Sequence, residues 1–584
     1  MSSDHHPVTA LTREQFAERA ASELEFVYGE RSREILRRLQ TLIDNQREAL
    51  ASAPKPLWSE RTQLLITYGD SVVQEDGTEP LDALDDFMRT HLGDTFSAIH
   101  ILPFYPWSSD DGFAVIHYRE VSPGLGDWPQ IRHLGERYNL MFDLVINHVS
   151  RESLWFTDYL AGSQPGRDYF IEMDPNTDVS AVTRPRNTPL LVPVNTRRGQ
   201  RHVWATFSDD QIDLNYANPD VLIEMLGVLL FYIRQGARLI RLDAIAYLWK
   251  ELGTRCIHLP QTHAIVRLIR ALIDHVAPGA LLLTETNVPH HENLSYFGDG
   301  DEAHMVYQFT LPPLVLHTLT TGNAEQLTEW AATLPPLPDG CTYFNFTASH
   351  DGVGVRALEG LLPQHDVEAL LELMQRFGGF VSMKTGADGK DSPYEINITY
   401  YDALKGTRKG PDPWQSARFI CSQTIMLGLQ GVPAVYIHSL LGTLNDHENV
   451  TRTGHLRAIN RKHWQREPLE LQLEAYSTPT HIVFEALTGR LRVRREEPCF
   501  HPDTAQKILH LGPQFFAFMR GPLADGRRLL AIHNVTDKPQ RLELPDGYAS
   551  EEWRDLLGRF EPYGENPVLK PYRSCWLVND AQPR

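Results

Sequence analysis

Eight short segments, each apolar almost from end to end, constrain the fold of this chain more than any other feature. They are Leu64–Gly69, Ser97–Pro103, Met141–Asn147, Arg238–Ala244, Ala280–Thr286, Met305–Phe309, Thr342–Ala348 and Ala434–His438. A strand that is apolar on both faces is buried on both, as happens in a parallel sheet covered by helices. Helical patterns intervene, among them Leu81–Leu92, Asp220–Gln235, His263–Val276 and Gln415–Leu429. Eight strand–helix units in series predict an α/β fold, a (β/α)8 TIM barrel.

A chain of 584 residues exceeds one ordinary core, so further units are expected around the barrel. Residues 1–60 carry helical patterns, Arg13–Glu25 and Arg31–Leu50, closed by Ala53-Pro54-Lys55-Pro56, and predict an N-terminal helical extension. The barrel spans 61–464, with two loop-inserted subdomains. Residues 149–213, rich in Pro, Arg and Asn, follow the third strand; residues 352–412, which include Thr385-Gly386-Ala387-Asp388-Gly389, follow the seventh. Short alternating stretches such as Arg528–Asn534 and Gln540–Leu544 predict a C-terminal β domain over 465–584.

The net charge of −20 argues against nucleic-acid and anionic-membrane partners. Residues 1–19 hold no apolar signal core, and no run reaches the ~18 apolar residues of a membrane span. Cys256, Cys341, Cys421, Cys499 and Cys575 are scattered and form no CxxC pair, as expected of reduced thiols in the cytoplasm.

Active sites of such barrels lie at the C-terminal ends of the strands. Here those ends carry Asn147-His148, Arg241-x-Asp243, Glu285 and His350-Asp351. Exchange of a glycosidic bond with retention needs one carboxylate to attack carbon and another to pass protons. Asp243 suits the nucleophile: Arg241, two residues earlier on the same strand face, would keep it ionised. Glu285, approached by apolar residues, suits the acid/base. Asp351 offers a third carboxylate to hold sugar hydroxyls. This trio leaves water, a sugar or phosphate open as acceptor, and it argues against a non-catalytic barrel. His258, His263, His290 and His291 form no ligand constellation, and Asp299-Gly300-Asp301 is too short for a calcium loop. No metal or cofactor is expected.

Several motifs together resemble the α-amylase superfamily, and more closely its sucrose phosphorylase subfamily. They are His100-Ile101-Leu102-Pro103-Phe104, Asp110-Asp111-Gly112-Phe113, Asn147-His148, Arg241-Leu242-Asp243-Ala244 and His350-Asp351-Gly352-Val353-Gly354. Phe309-x-Leu311-Pro312-Pro313-Leu314, Asn397-x-Thr399-Tyr400-Tyr401, Gly431-Val432-Pro433 and Ile459-Asn460-Arg461 extend the likeness. The resemblance implies that Asp243 is nucleophile, Glu285 acid/base and Asp351 transition-state stabiliser. It implies that Asp110, His148, Arg241 and His350 clamp a glucosyl ring, with Phe207 as the subsite wall and Gln211 beside it. Arg186 and Tyr394 match the loops that hold phosphate, and Arg457 is a third candidate. The implied activity is a configuration-retaining α-glucoside phosphorylase, a hexosyltransferase releasing α-D-glucose 1-phosphate, with inorganic phosphate as co-substrate. A homodimer is compatible with it.

Two departures bear on the acceptor. Ser392 and Glu395 stand where sucrose phosphorylases carry Asp and Gln, and the helical extension is absent from those enzymes. Both features resemble the branch acting on glucosylglycerol or glucosylglycerate. An extra negative charge at Glu395, in the acceptor region, would repel a carboxylate unless Lys384, Lys390 or an arginine offsets it. That charge argument ranks glycerol first, glycerate next and fructose third. Sucrose phosphorolysis and an α-glucosidase or transglucosidase are the alternatives.

Overall fold

The computed structural model describes residues 8, 10–46, 50, 54–186, 188–385, 391–544, 548, 552–558, 560 and 567–579. Eight parallel strands close into a barrel: β1 (Leu64–Thr67), β2 (Ala98–Ile101), β3 (Asn139–Val145), β4 (Ala237–Asp243), β5 (Leu281–Thr284), β6 (Met305–Tyr307), β7 (Thr342–Asn345) and β8 (Val432–Tyr436). Each strand pairs with the next in sequence, and β8 closes on β1 through Leu64↔Ala434. All four residues of β1, β2, β5 and β7 are buried, which is why the sequence shows no apolar/polar alternation there.

The register sets the site. Arg241 on β4 lies beside Asp143 on β3 and Leu283 on β5, so charges from neighbouring strands meet inside the barrel. The insertion after β3 folds as a three-stranded antiparallel sheet, in which Leu191–Thr196 pairs with Gly199–Trp204. A second short pair there sets His148 opposite Asp213 and Ser150 opposite Gln211. The insertion after β7 forms another three-stranded sheet, whose strand Asp391–Asn397 carries Tyr394 and Glu395.

The extension supplies α1 (Arg13–Tyr28) and α2 (Ser32–Asp44). Thr12 caps α1 in a reciprocal box with Gln15. Phe16, Ala20 and Leu24 are buried at four-residue spacing, as are Ile35, Leu39 and Ile43 of α2, giving each helix one apolar stripe. The stripes lie on the barrel's outer layer: α1 packs on Pro260–Val276 and α2 on Pro219–Arg234. Arg267 joins Glu23 of α1, at 2.9 and 3.0 Å, to Glu302 at 3.1 Å.

The expectation of a β domain from 465 is corrected at its start. Residues 466–495 form two helices, Arg466–Glu474 and Pro479–Arg495. The second carries a Thr478 cap and a proline in its first turn, and its buried Arg494 donates to the carbonyls of Leu427 and Glu60. It therefore covers the barrel in the place of an eighth helix. Strands begin at Gln506 and build a five-stranded antiparallel sheet. Phe518 and Trp576 of that sheet belong to the same core as the barrel. Among the described residues no helix is long and apolar enough to cross a membrane, and all five cysteines are free and buried.

Candidate active site

At the end of β4, Arg241 is the hub. Its Nη1 donates to Asp243 Oδ1 at 2.8 Å and to Asp143 Oδ1 at 2.5 Å, and its Nε donates to Tyr307 Oη at 3.2 Å. Asp143 is held from the other side by His100 at 2.6 Å. Burial alone would raise Asp143, yet His100 and Arg241 outweigh it and keep its carboxyl below the usual range. The Arg241 guanidinium is thereby fixed, with the Phe113 and Tyr307 rings each 5.6 Å from its centre.

Two carboxyls flank this guanidinium unequally. Asp243 touches it, whereas Glu285 Oε2 stands 4.0 Å from Nη2 and accepts from the Ala244 backbone N–H at 3.1 Å. Burial pushes Asp243 above the usual carboxylate range, with Arg241 and His148 pulling it back. Arg241 thus favours the ionised form, as expected, but burial is the larger effect. Burial likewise raises Glu285, to about 7, with Arg241 opposing and the charges of Asp243 and Asp351 adding. A proton shared by the pair therefore resides on Glu285, the carboxyl farther from the cation. Ala244 holds a left-handed φ of +51°, a conformation uncommon for residues with a Cβ and found most often at working sites.

Asp351 closes the far side. Burial would raise it, but Arg457, Arg461, Arg241 and Arg186 outweigh that and keep it ionised. Arg457 Nη1 lies 2.6 Å from Asp351, and its Nε and Nη2 both bond the Glu395 carboxylate at 2.9 Å. Arg457 has thus committed every nitrogen of its fork to carboxylates. It lines the chamber together with Arg186. Arg186 differs. It stacks on the Tyr394 ring at 5.4 Å and reaches Glu395 at 3.9 Å, and among the described residues no closer partner engages its fork, which lines the chamber.

The remaining expected residues surround the same space. His148 Nε2 lies 2.9 Å from the Phe113 carbonyl and 3.2 Å from the Gln211 amide nitrogen. Phe207 packs edgewise on Tyr247 and at 5.2 Å from His148. His350 stacks on Phe113 at 4.6 Å. Asp110, in a left-handed turn with φ +53°, is 3.8 Å from Arg461 and 3.9 Å from Arg457. Arg241 lies beneath the floor; the other twelve expected residues line one chamber of about 80 Å3. Pockets for organic ligands measure roughly 300–1,000 Å3, so the chamber is narrow in this structure. Two inserted segments, bearing Arg186 and Tyr394, form part of its wall.

The sequence reading gave no role to Asp143 and Tyr307, and it quoted Phe113 and Arg461 only as parts of motifs. Asp143 had a signal, a lone charge inside an apolar strand. Arg461 donates to the His350 carbonyl at 2.9 Å and to Asp111 at 2.5 Å, contacts that span more than a hundred residues, so its motif did not reveal its partners. Of the histidines, His258 sits between Tyr296 and Glu292 and His263 on Glu302, each spent on a structural partner. Lys384 lies 3.9 Å from Glu359 and is not in the chamber wall; Lys390 falls outside the described residues.

Residues 90–356 match the family model for the alpha-amylase catalytic domain. The chain is 45% identical to the glucosylglycerate phosphorylase of Escherichia coli (strain K12), over 93% of this chain and 96% of that protein. It is 29% identical to the glucosylglycerol phosphorylase of Marinobacter adhaerens, over 75% of this chain and 87% of the relative. Among solved structures, sucrose 6F-phosphate phosphorylase from Thermoanaerobacter thermosaccharolyticum superposes with a TM-score of 0.71 at 26% identity, covering 83% of this chain and 95% of that one.

Proposed function

Since the chain belongs to the sucrose phosphorylase-like glycoside phosphorylases of the α-amylase superfamily, we propose that its substrate is glucosylglycerate, cleaved by phosphate to α-D-glucose 1-phosphate and glycerate. The observation that carries this reading is the 45% identity to a glucosylglycerate phosphorylase along 96% of that relative, against 29% for the glucosylglycerol enzyme. The ranking of glycerol first rested on an unpaired charge at Glu395. Arg457 occupies both oxygens of that carboxylate at 2.9 Å, and Arg186 stands 3.9 Å away. The charge is offset, and with it goes the objection to a carboxylate acceptor. A phosphorylase must in any case seat an anion there, because phosphate follows the leaving group into the same space. Arg186, with its planar fork, suits both a carboxylate and phosphate.

The steps are then a double displacement. Asp243 attacks the anomeric carbon while the bond to glycerate breaks, and Glu285 gives its proton to the departing oxygen. Phosphate held by Arg186 and Tyr394 attacks the glucosyl-enzyme from the vacated side. Asp243 is released, and Glu285 recovers a proton from the acceptor. Asp351, ionised by its arginines, opposes the positive charge on the ring, while Asp110, His148 and His350 hold its hydroxyls. Neither step calls for a cofactor or metal. Five buried thiols fit the reducing cytoplasm. The test runs the reaction backwards from α-D-glucose 1-phosphate with D-glycerate, glycerol and fructose at equal concentration. Glycerate should be consumed fastest; faster consumption of glycerol would return the assignment to glucosylglycerol.

A further inference from the structure

A second chamber opens at the same end of the barrel, beyond β1, β2 and β8. It encloses about 400 Å3, within the roughly 300–1,000 Å3 of ligand pockets. Three cations line it, Arg452, Arg461 and Lys462, against two carboxylates, Asp70 and Asp111. Asp111 is taken by Arg461 at 2.5 Å and Asp70 lies 3.4 Å from His463. Among the described residues neither Arg452 nor Lys462 has a carboxylate partner. Arg452 donates to the Asn449 side chain, and Lys462 lies over the Trp464 ring. On a chain of net charge −20, such a cavity is a local sink for anions.

Arg461 is also the partition between the two chambers. It is 6% exposed; its Nη1 serves Asp111 and its Nε the His350 carbonyl. Its Nη2 is buried with no hydrogen-bond partner, 4.0 Å from Asp351. That nitrogen faces the carboxylate of the catalytic chamber, so the guanidinium has one edge toward each chamber. Trp107, 40% exposed at the rim, adds a flat apolar face on which a ring can lie. We propose that this chamber is a second binding site for a small phosphate-bearing anion, inorganic phosphate or a sugar phosphate, separated from the catalytic chamber by Arg461.

The test is equilibrium dialysis of the full chain against labelled inorganic phosphate, comparing the wild type with the Arg452→Ala/Lys462→Ala double variant. Arg452 is exposed and Lys462 half-buried, and neither belongs to the catalytic machinery. The double variant should therefore keep its circular dichroism and its turnover at saturating phosphate. Arg452→Gln, which retains hydrogen-bonding capacity, gives a milder second variant. The wild type should bind one more phosphate per chain than the double variant, whose affinity at that site falls at least about 10-fold. Phosphate binding equal in the two proteins overturns the proposal, whatever becomes of Arg186. For the class of site missing from the double variant, release of label by α-D-glucose 1-phosphate assigns the chamber to a sugar phosphate. Retention assigns it to free phosphate; both outcomes uphold an anion site.

Discussion

Raising the pH through neutrality should disarm Glu285. Its carboxyl is carried from 4.5 to about 7 by burial, reinforced by Asp243 and Asp351 and opposed by Arg241. At pH 7 such a group is about half protonated, whereas an unperturbed glutamic acid would be protonated to roughly 0.3%, so the environment supplies about 150 times more acid. The sign follows: the group donates below its pKa and is lost as pH rises through it. In a double displacement, kcat/KM for the glucoside reports only the glucosylation half, so the ionisation of phosphate does not enter. That constant, measured from roughly pH 5 to 9, should fall about tenfold per pH unit above about 7. The acid side should fall as Asp243 takes a proton, and the two limbs belong to the coupled pair. In Glu285→Gln, an activated donor whose leaving group needs no proton should still react, and the basic limb should vanish. A basic limb that persists in Glu285→Gln with such a donor refutes the assignment of the acid.

Asp243→Asn should fold normally and lose turnover by several orders of magnitude, because the covalent step then has no nucleophile. Intact-mass analysis with an activated donor should show no glucosyl-enzyme, and near-normal turnover would remove Asp243 from the mechanism. Arg186→Ala should raise the phosphate KM by about 10- to 150-fold, the worth of a charge-assisted contact. It should also divert product from glucose 1-phosphate to free glucose. An unchanged ratio of the two sugars places phosphate elsewhere.

The barrel was legible because buried parallel strands announce themselves as apolar runs, and all eight expected segments coincide with observed strands. β8 begins at Val432 rather than Ala434; Pro433 reads as a strand breaker, yet it pairs with Asn345 of β7. The Pro479–Arg495 helix was missed where alternating stretches farther on coloured the reading of the whole tail, although its cap and first-turn proline are local signals. Strand-end residues could be listed from sequence, and the fold gathers them around one chamber. Their charge balance could not be read there. Glu395 meets Arg457 sixty-two positions away, and Asp143 meets Arg241 across ninety-eight. A pairing set by tertiary register is invisible to neighbouring residues, so the arginine that the charge argument left open beside Glu395 could not be named from the sequence.

The docking of α1 and α2 also imposes an order on synthesis. Both helices leave the ribosome with Phe16, Leu24, Ile35 and Leu39 on one bare stripe, and their seats are helices ending at Arg234 and Val276. From Asp44 to Val276 some 230 residues must still be added, which at 5–20 residues per second takes about 10 to 50 s. Throughout that interval the stripes are available to chaperones and to the same stripes on neighbouring nascent chains. The extension therefore carries a kinetic liability that its native packing conceals: crowding on polysomes, rather than instability of the finished enzyme, is where its apolar faces are exposed.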